Sequence, residues 1–190
     1  EIVKEINQIN MIFVGWLEKT KGIDELLLAT KELKKKRVNF KLWIVGDGSQ
    51  AKTMKVFSQL YKLEKQVQFT SWLSEKQLQE IYKICNIFIL PSWTEGMPNS
   101  MIEAMAAGCV PVVTDVGNIS DLVNSKNGVL IKPKNHKELT NKLISLISDK
   151  KKLSNLSKSS HKDAKKHFST TKNINKLIEI VNLTTNVEKN

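Results

Sequence analysis

A chain of 190 residues, 41% hydrophobic and 26% charged, has the composition of a soluble globular protein and the length to bury one good core. Pervasive disorder is excluded, and no run reaches the roughly 18 uncharged apolar residues of a membrane span. The formal net charge is +11, nearly all of it from Lys.

The elements alternate along the chain. Met11-Ile12-Phe13-Val14 reads as a buried strand ending at Gly15. From Gly22 to about Lys36, Ile23, Leu26, Leu27 and Leu33 recur at helical spacing. A second strand over 40–45 stops at Gly46-Asp47-Gly48, and 49–63 reads as a helix. Val67-Gln68-Phe69 is a short strand. The helix over 75–84 has Ser74 as N-cap and Gln77 as its capping-box partner. A strand over 86–90 stops at Pro91. A loop over 92–98 then leads to a helix over 99–107, capped by Asn99 or Ser100 and closed by Gly108. Val110-Pro111-Val112-Val113 is the next strand, with Pro111 expected at its first residue. A short helix over 119–124 and a strand over 128–131 follow. Lys-rich helices are expected over 136–148, 150–167 and 171–182.

Apolar strands alternating with helices imply an α/β fold: a single doubly wound, Rossmann-like domain of about six parallel strands, covered on both faces. Such sheets bind ligands at the carboxyl ends of their strands. The loops after Val14, Val45, Phe69, Leu90 and Val113 are therefore the places for chemistry.

Cys85 and Cys109 lie in apolar contexts with no Cys-x-x-Cys. His136, His161 and His167 share no ligand spacing. Neither a disulfide scaffold nor a metal site is expected, and the cysteines suit a reducing compartment. A nucleic-acid surface calls for arginine with exposed aromatics, whereas Arg37 is the sole arginine, so no nucleic-acid partner is expected. The first residues, Glu1-Ile2-Val3-Lys4-Glu5, form no signal peptide and lack an initiator Met, so the chain is expected to be a piece of a longer protein.

Two loops stand out. Gly15 to Gly22 carries Lys21 beside a helix N-terminus, a combination that favours phosphate; a plain strand-to-helix turn explains the same residues. Residues 91–108 run Pro-Ser-Trp-Thr-Glu-Gly-Met-Pro-Asn-Ser-Met-Ile-Glu-Ala-Met-Ala-Ala-Gly. Glu95 sits in the loop and Glu103 one turn into the helix. Gly96 lets a ligand approach the backbone, and the free amides at the helix start point to the same region. Carboxylates beside free amides suit a ligand with both hydroxyls and phosphate, such as a sugar nucleotide. The competing reading makes Glu103 the capping-box partner of Ser100 and leaves Glu95 solvated.

This segment resembles the Glu-x7-Glu motif of retaining glycosyltransferases of the GT-B fold, family 4 (group 1 glycosyltransferases). Residues 91–108 match Pro-Ser-x-x-Glu-Gly-x-Pro-Asn-x-x-x-Glu-Ala-Met-Ala-x-Gly throughout. Val14-Gly15 with Lys21-Gly22, Ile44 to Gly48, Val110 to Val113 with Gly117, and Asn127-Gly128-Val129-Leu130 are similar to further family motifs in the family's order.

The resemblance implies the C-terminal, donor-binding half of such an enzyme. Residues 1–168 would form the sugar-nucleotide-binding domain, 169–190 a crossover helix and tail, and the N-terminal acceptor domain is absent from this chain. It assigns catalysis to Glu95 and Lys21, with Glu95 on donor-sugar hydroxyls and Lys21 on the diphosphate. Donor binding would also use Gly15, Trp16, Trp72, Gly96, Met97, Asn99, Ser100, Met101 and Glu103, with Glu103 on the ribose and the base near 70–72. The donor would be a UDP- or GDP-sugar, used without metal or other cofactor. The acceptor would be a glycan or lipid-linked chain, in bacterial surface polysaccharide synthesis in the cytoplasm at the inner membrane face. The Lys excess could add peripheral contact with anionic lipid.

Trp16 stands where the family has Arg, removing one of two expected cations; a charged hydrogen bond of that kind contributes roughly 1.5–3 kcal/mol. Asn118, Asp121 and Ser71 also depart from the pattern. The alternatives are a non-catalytic nucleotide-sugar-binding module or regulatory subunit with a degenerate phosphate loop, and a sugar-nucleotide epimerase, which the Glu-x7-Glu loop argues against.

Overall fold

The computed structural model describes residues 8–168. The segment expected as a helix over 171–182 lies outside them, as does the whole of 169–190. Six strands form one parallel sheet: β1 Ile9–Val14, β2 Phe40–Val45, β3 Val67–Thr70, β4 Ile87–Leu90, β5 Val110–Thr114 and β6 Val129–Ile131. Their order is β3-β2-β1-β4-β5-β6. The helices are α1 Ile23–Lys35, α2 Ala51–Leu60, α3 Glu75–Ile84, α4 Asn99–Ala106, α5 His136–Ser148 and α6 Lys150–Phe168. Helix α1 packs against α2 and α5, and α4 packs against α6. The doubly wound α/β reading therefore holds.

The strands are apolar because both sheet faces are covered. Met11, Ile12, Phe13, Ile44, Ile87, Phe88, Ile89, Val112 and Val113 are all fully buried. Strand β1 begins two residues before the apolar run. Asn10 is held by Asn86, whose side-chain oxygen accepts its amide at 2.9 Å and whose own amide donates to the Asn10 carbonyl at 2.7 Å. A pair of asparagines thus replaces apolar packing where β1 meets the approach to β4.

Pro111 is the second residue of β5, not the first, and pairs with Phe88. The neighbouring Val110 amide donates towards β4, to the Asn86 carbonyl, so the Pro111 nitrogen faces the β6 side. There β6 pairs with β5 only from Val112 onward. The proline removes no ladder bond and is tolerated. Helix α2 is shorter than the periodicity suggests, and the helix expected over 119–124 is a 3-10 turn over Ile119–Asp121.

All six strands run the same way, so the turns after Val14, Val45, Thr70, Leu90 and Thr114 lie along one edge. The chain order reverses between β1 and β4. That reversal opens the crevice in which doubly wound sheets hold ligands.

Candidate functional site

Two loops flank the reversal. The one after β1 contains a 3-10 turn, Lys19–Lys21, closed by Gly22 in the left-handed conformation at φ 72°. A side chain at Gly22 would overlap the Pro91 carbonyl, so glycine lets the loop after β4 lie directly on this turn. The Trp93 amide donates to the Thr20 carbonyl at 2.8 Å. One residue on, Lys21 Nζ meets Glu95 Oε1 at 2.6 Å. Only 9% of the Glu95 side chain and 25% of the Lys21 side chain reach solvent. The two residues assigned to catalysis are therefore brought together.

Glu95 is held from the far side as well. Gly117, at φ 58°, lies under the Glu95 carbonyl, and the Asn118 amide donates to the Gly96 carbonyl at 3.3 Å. Gly96 itself faces open space. Met97 is partly buried against the core.

Helix α4 starts at Asn99 with Pro98 as N-cap, so neither Asn99 nor Ser100 caps it. The Ser100 hydroxyl donates to the Val14 carbonyl at 3.3 Å, tying the start of α4 to the end of β1. The Met101 amide is engaged by the Pro98 carbonyl at 3.1 Å, and the Met101 side chain is fully buried. That leaves Asn99 and Ser100, at the first two helical positions, as the amides able to meet a ligand.

Glu103 forms no capping box with Ser100. Its Oε2 accepts from the Tyr82 hydroxyl at 3.4 Å, and the same hydroxyl lies 3.2 Å from the Ser100 carbonyl. Partial burial holds the Glu103 carboxyl above its ordinary value of 4.5; the Tyr82 bond pulls it down and the Glu75 carboxylate pushes it up. Burial and the Glu103 charge drive the Tyr82 phenol far upward, so it remains a donor. Tyr82 escaped the sequence reading because, 21 positions from Glu103, it looks like one more core residue of α3.

Trp16 and Trp72 stand at the β1–β3 end of the same edge. Their rings meet edge to face with centroids 5.0 Å apart, and both are exposed, at 59% and 48%. Between them Gly15 and Gly46 pack closely: a side chain at Gly46 would overlap the Gly15 carbonyl and touch the Trp72 ring. Glu18 joins the loops after β1 and β2 by accepting from the Ser49 hydroxyl at 2.6 Å and the Ser49 amide at 2.9 Å, which lowers its carboxyl from the ordinary value.

Glu25, in the first turn of α1, is buried and accepts from the Trp93 indole at 3.2 Å. Lys134 lies over the other part of that ring, 4.4 Å from its centroid. No sequence signal marks this cluster, whose members come from the start of α1 and from the loops after β4 and β6. A cleft of about 470 Å³ between α2 and the edge strand β3, lined by Lys41, Lys55 and Ser58, contains none of the residues assigned above. Cys85 and Cys109 are buried free thiols. Among the described residues no three His, Cys, Asp or Glu side chains gather as metal ligands, and no helix is long and apolar enough to cross a membrane.

The model of the family described as glycosyl transferases group 1 matches residues 2–163. The capsular polysaccharide biosynthesis glycosyltransferase CapM of Staphylococcus aureus is 28% identical over 161 residues, covering 83% of this chain and 42% of that protein. In structure, the chain is similar to the C-terminal domain of the group 1 family protein LpcC of Francisella tularensis. That match has a TM-score of 0.77 and 24% identity, and covers 84% of this chain and 86% of that one. Anabaena Alr3699/HepE, solved with UDP-glucose, superposes with a TM-score of 0.82 at 22% identity, covering 93% of this chain and 49% of that one. The chain spans about a quarter to a third of the length of the first curated relatives it matches.

Proposed function

We propose that this chain, which belongs to the group 1 glycosyltransferases, is the donor-binding part of an enzyme that transfers a sugar from a nucleoside diphosphate. The observation that carries the reading is the Lys21–Glu95 pair at the reversal of strand order, with the Asn99 and Ser100 amides beside it. A diphosphate would exchange the carboxylate for a phosphate as the partner of Lys21, and free Glu95 to accept from sugar hydroxyls. Glu103, on the exposed side of α4, would take the ribose hydroxyls, and the base would lie towards Trp72. The bond from the anomeric carbon to the phosphate oxygen would break, a bond to the acceptor hydroxyl oxygen would form with retention, and the hydroxyl proton would pass to the departing diphosphate. Lys21 and the two amides would meet the charge left on the diphosphate; preorganised donors of this kind are effective because they need no rearrangement as charge develops.

UDP-glucose bound to the Anabaena neighbour supports a nucleotide-sugar donor, and CapM supports a place in bacterial surface polysaccharide synthesis. A glycan or lipid-linked acceptor would be held by a second, N-terminal domain at the inner membrane face. Alone, this part would bind donor but transfer little, since closure between two domains excludes water from the reaction. Calorimetric titration with UDP, GDP, ADP and their sugar conjugates tests the reading. Selective binding, weakened in Glu103→Ala, supports it; a well-folded chain that binds none refutes it.

The second reading, a nucleotide-sugar-binding module without turnover, is favoured by Trp16, which turns to Trp72 and places no cation in the phosphate loop. Transfer activity by the protein containing this chain decides between the two.

A further inference from the structure

We propose that Glu25 is a positioning residue for the Glu95 carboxylate, acting through the side chain of Trp93. The proposal rests on the reading of Glu95 as the group that meets the donor sugar.

The dipole favours acidic residues in the first turn of a helix, and Asp24 meets that preference while staying in solvent. Glu25 is only 7% exposed, between the core residues Ile23, Leu26 and Leu27. A leucine would fill such a place without the cost of burying a charge. Beyond the favourable helix dipole, what the carboxylate adds is one bond: Oε1 accepts from the Trp93 indole N–H at 3.2 Å. Oε2 is buried and has no hydrogen-bond partner. A buried carboxylate left half satisfied is expensive, so its single bond needs a use.

Trp93 supplies the use, because it stands two residues before Glu95. Its backbone is pinned to the turn after β1 by the amide bond to the Thr20 carbonyl. Its ring is pinned at the N–H by Glu25 and covered on a face by Lys134. Thr20 precedes Lys21, and Glu25 follows it by four residues. One short segment therefore presents the cation and also fixes, at two points, the loop carrying its partner. Without the indole bond, Trp93 would keep its backbone anchor and the Lys134 contact but lose the directional hold on its ring, and the segment from Trp93 to Glu95 could shift between its remaining anchors at Thr20 and Asn118.

The test compares Glu25→Gln, Glu25→Leu and Trp93→Phe with wild type. Glu25→Gln keeps an acceptor for the indole, Glu25→Leu removes it, and Trp93→Phe removes the donor from the other side. In the ligand-free chain, the side-chain carboxyl carbon resonance of Glu95 at neutral pH should move in Glu25→Leu and Trp93→Phe and stay in place in Glu25→Gln. Affinity for the tightest-binding of UDP-, GDP- and ADP-glucose should fall about tenfold in Glu25→Leu and Trp93→Phe, while affinity for the free nucleoside diphosphate changes less than about twofold. A Glu95 resonance at its wild-type position in Glu25→Leu, with the Trp93 indole resonance shifted, overturns the proposal. If Glu25→Leu fails to fold, Trp93→Phe gives the same comparison. Failure of wild type to bind any nucleotide overturns the donor-site reading instead, and the resonances still decide the role of Glu25.

Discussion

Lys21 and Glu95 are 74 positions apart in the chain, and their Nζ and Oε1 atoms are 2.6 Å apart. They arrive from strands adjacent in the sheet but distant in sequence, β1 and β4, where the winding changes direction. Two glycines make the approach possible, Gly22 under Pro91 and Gly117 under Glu95. The pair is thus a product of the topology, and the local sequence of neither loop contains it.

Removing the cation should cost both stability and binding. In Lys21→Ala the Glu95 carboxylate, 9% exposed, is left without its ion-pair partner, and unfolding free energy should fall by about 1–3 kcal/mol. The double variant Lys21→Ala, Glu95→Gln should recover part of that stability and none of the nucleotide affinity. Denaturant unfolding and calorimetry check the two halves. Unchanged nucleotide affinity in Lys21→Ala would remove that residue from the phosphate site.

With Glu103 as the proposed ribose ligand, nucleotide binding should depend on pH. Its folded carboxyl titrates above 4.5, so between that value and the folded one the native chain keeps a proton that the unfolded chain has released. The group's contribution to stability is complete below about pH 4.5 and is lost as pH rises through the folded value. Ligand affinity should run the other way, since the proposed bonds from ribose hydroxyls call for the ionised carboxylate. Affinity should therefore begin to fall on acidification at higher pH than an ordinary glutamate would give. Tyr82→Phe, which removes the bond lowering that carboxyl, should move the midpoint higher still, and Glu103→Gln should flatten the profile. Titrations of nucleotide affinity against pH measure all three.

Local signals were legible in the sequence, and long-range ones were not. The Ser74–Gln77 capping box and the bounds of α5 are set by neighbours within four residues and were read in advance. The same logic offered a capping box at Ser100-x-x-Glu103 as the competing reading, and none forms. There Ser100 is drawn to the Val14 carbonyl, 86 positions away, and Glu103 to Tyr82. The place of Pro111 inside β5 depends on where β6 begins, which no local pattern records. Lys21, Glu95 and Glu103 could be named because a motif marks them. Tyr82 and Glu25 could not, since a phenol among core residues and a glutamate in a first turn are ordinary until their partners are known.

Trp16 offers a gain-of-function test. Trp16→Arg gives up an edge-to-face contact with Trp72 that contributes about 0.5–1.5 kcal/mol, and a modest fall in melting temperature should follow. It also places a guanidinium in the loop that carries Lys21. A charged hydrogen bond of roughly 1.5–3 kcal/mol would tighten nucleoside diphosphate binding about tenfold or more. Calorimetry on the variant measures it. Lost stability with no gain in affinity would mean that position 16 does not face the diphosphate.

Gly96 and Gly117 are neighbours in space and should respond oppositely to alanine. At Gly117, φ is 58°, and a Cβ would overlap the Glu95 carbonyl oxygen and crowd the Gly96 oxygen at 3.1 Å. The left-handed conformation alone costs about 1–2 kcal/mol for alanine, and the loop carrying Glu95 must also shift. Gly117→Ala should therefore lower stability and weaken nucleotide-sugar binding more than binding of the free diphosphate. At Gly96 nothing lies within 4 Å of a Cβ, and the residue is not in the left-handed region. Gly96→Ala should keep or gain a few tenths of a kcal/mol in stability. The same methyl would occupy the open space through which a ligand reaches the backbone, so donor affinity should fall while the fold stands. Melting curves paired with titrations separate the two cases. Full donor affinity in a stable Gly96→Ala would place the sugar away from this loop.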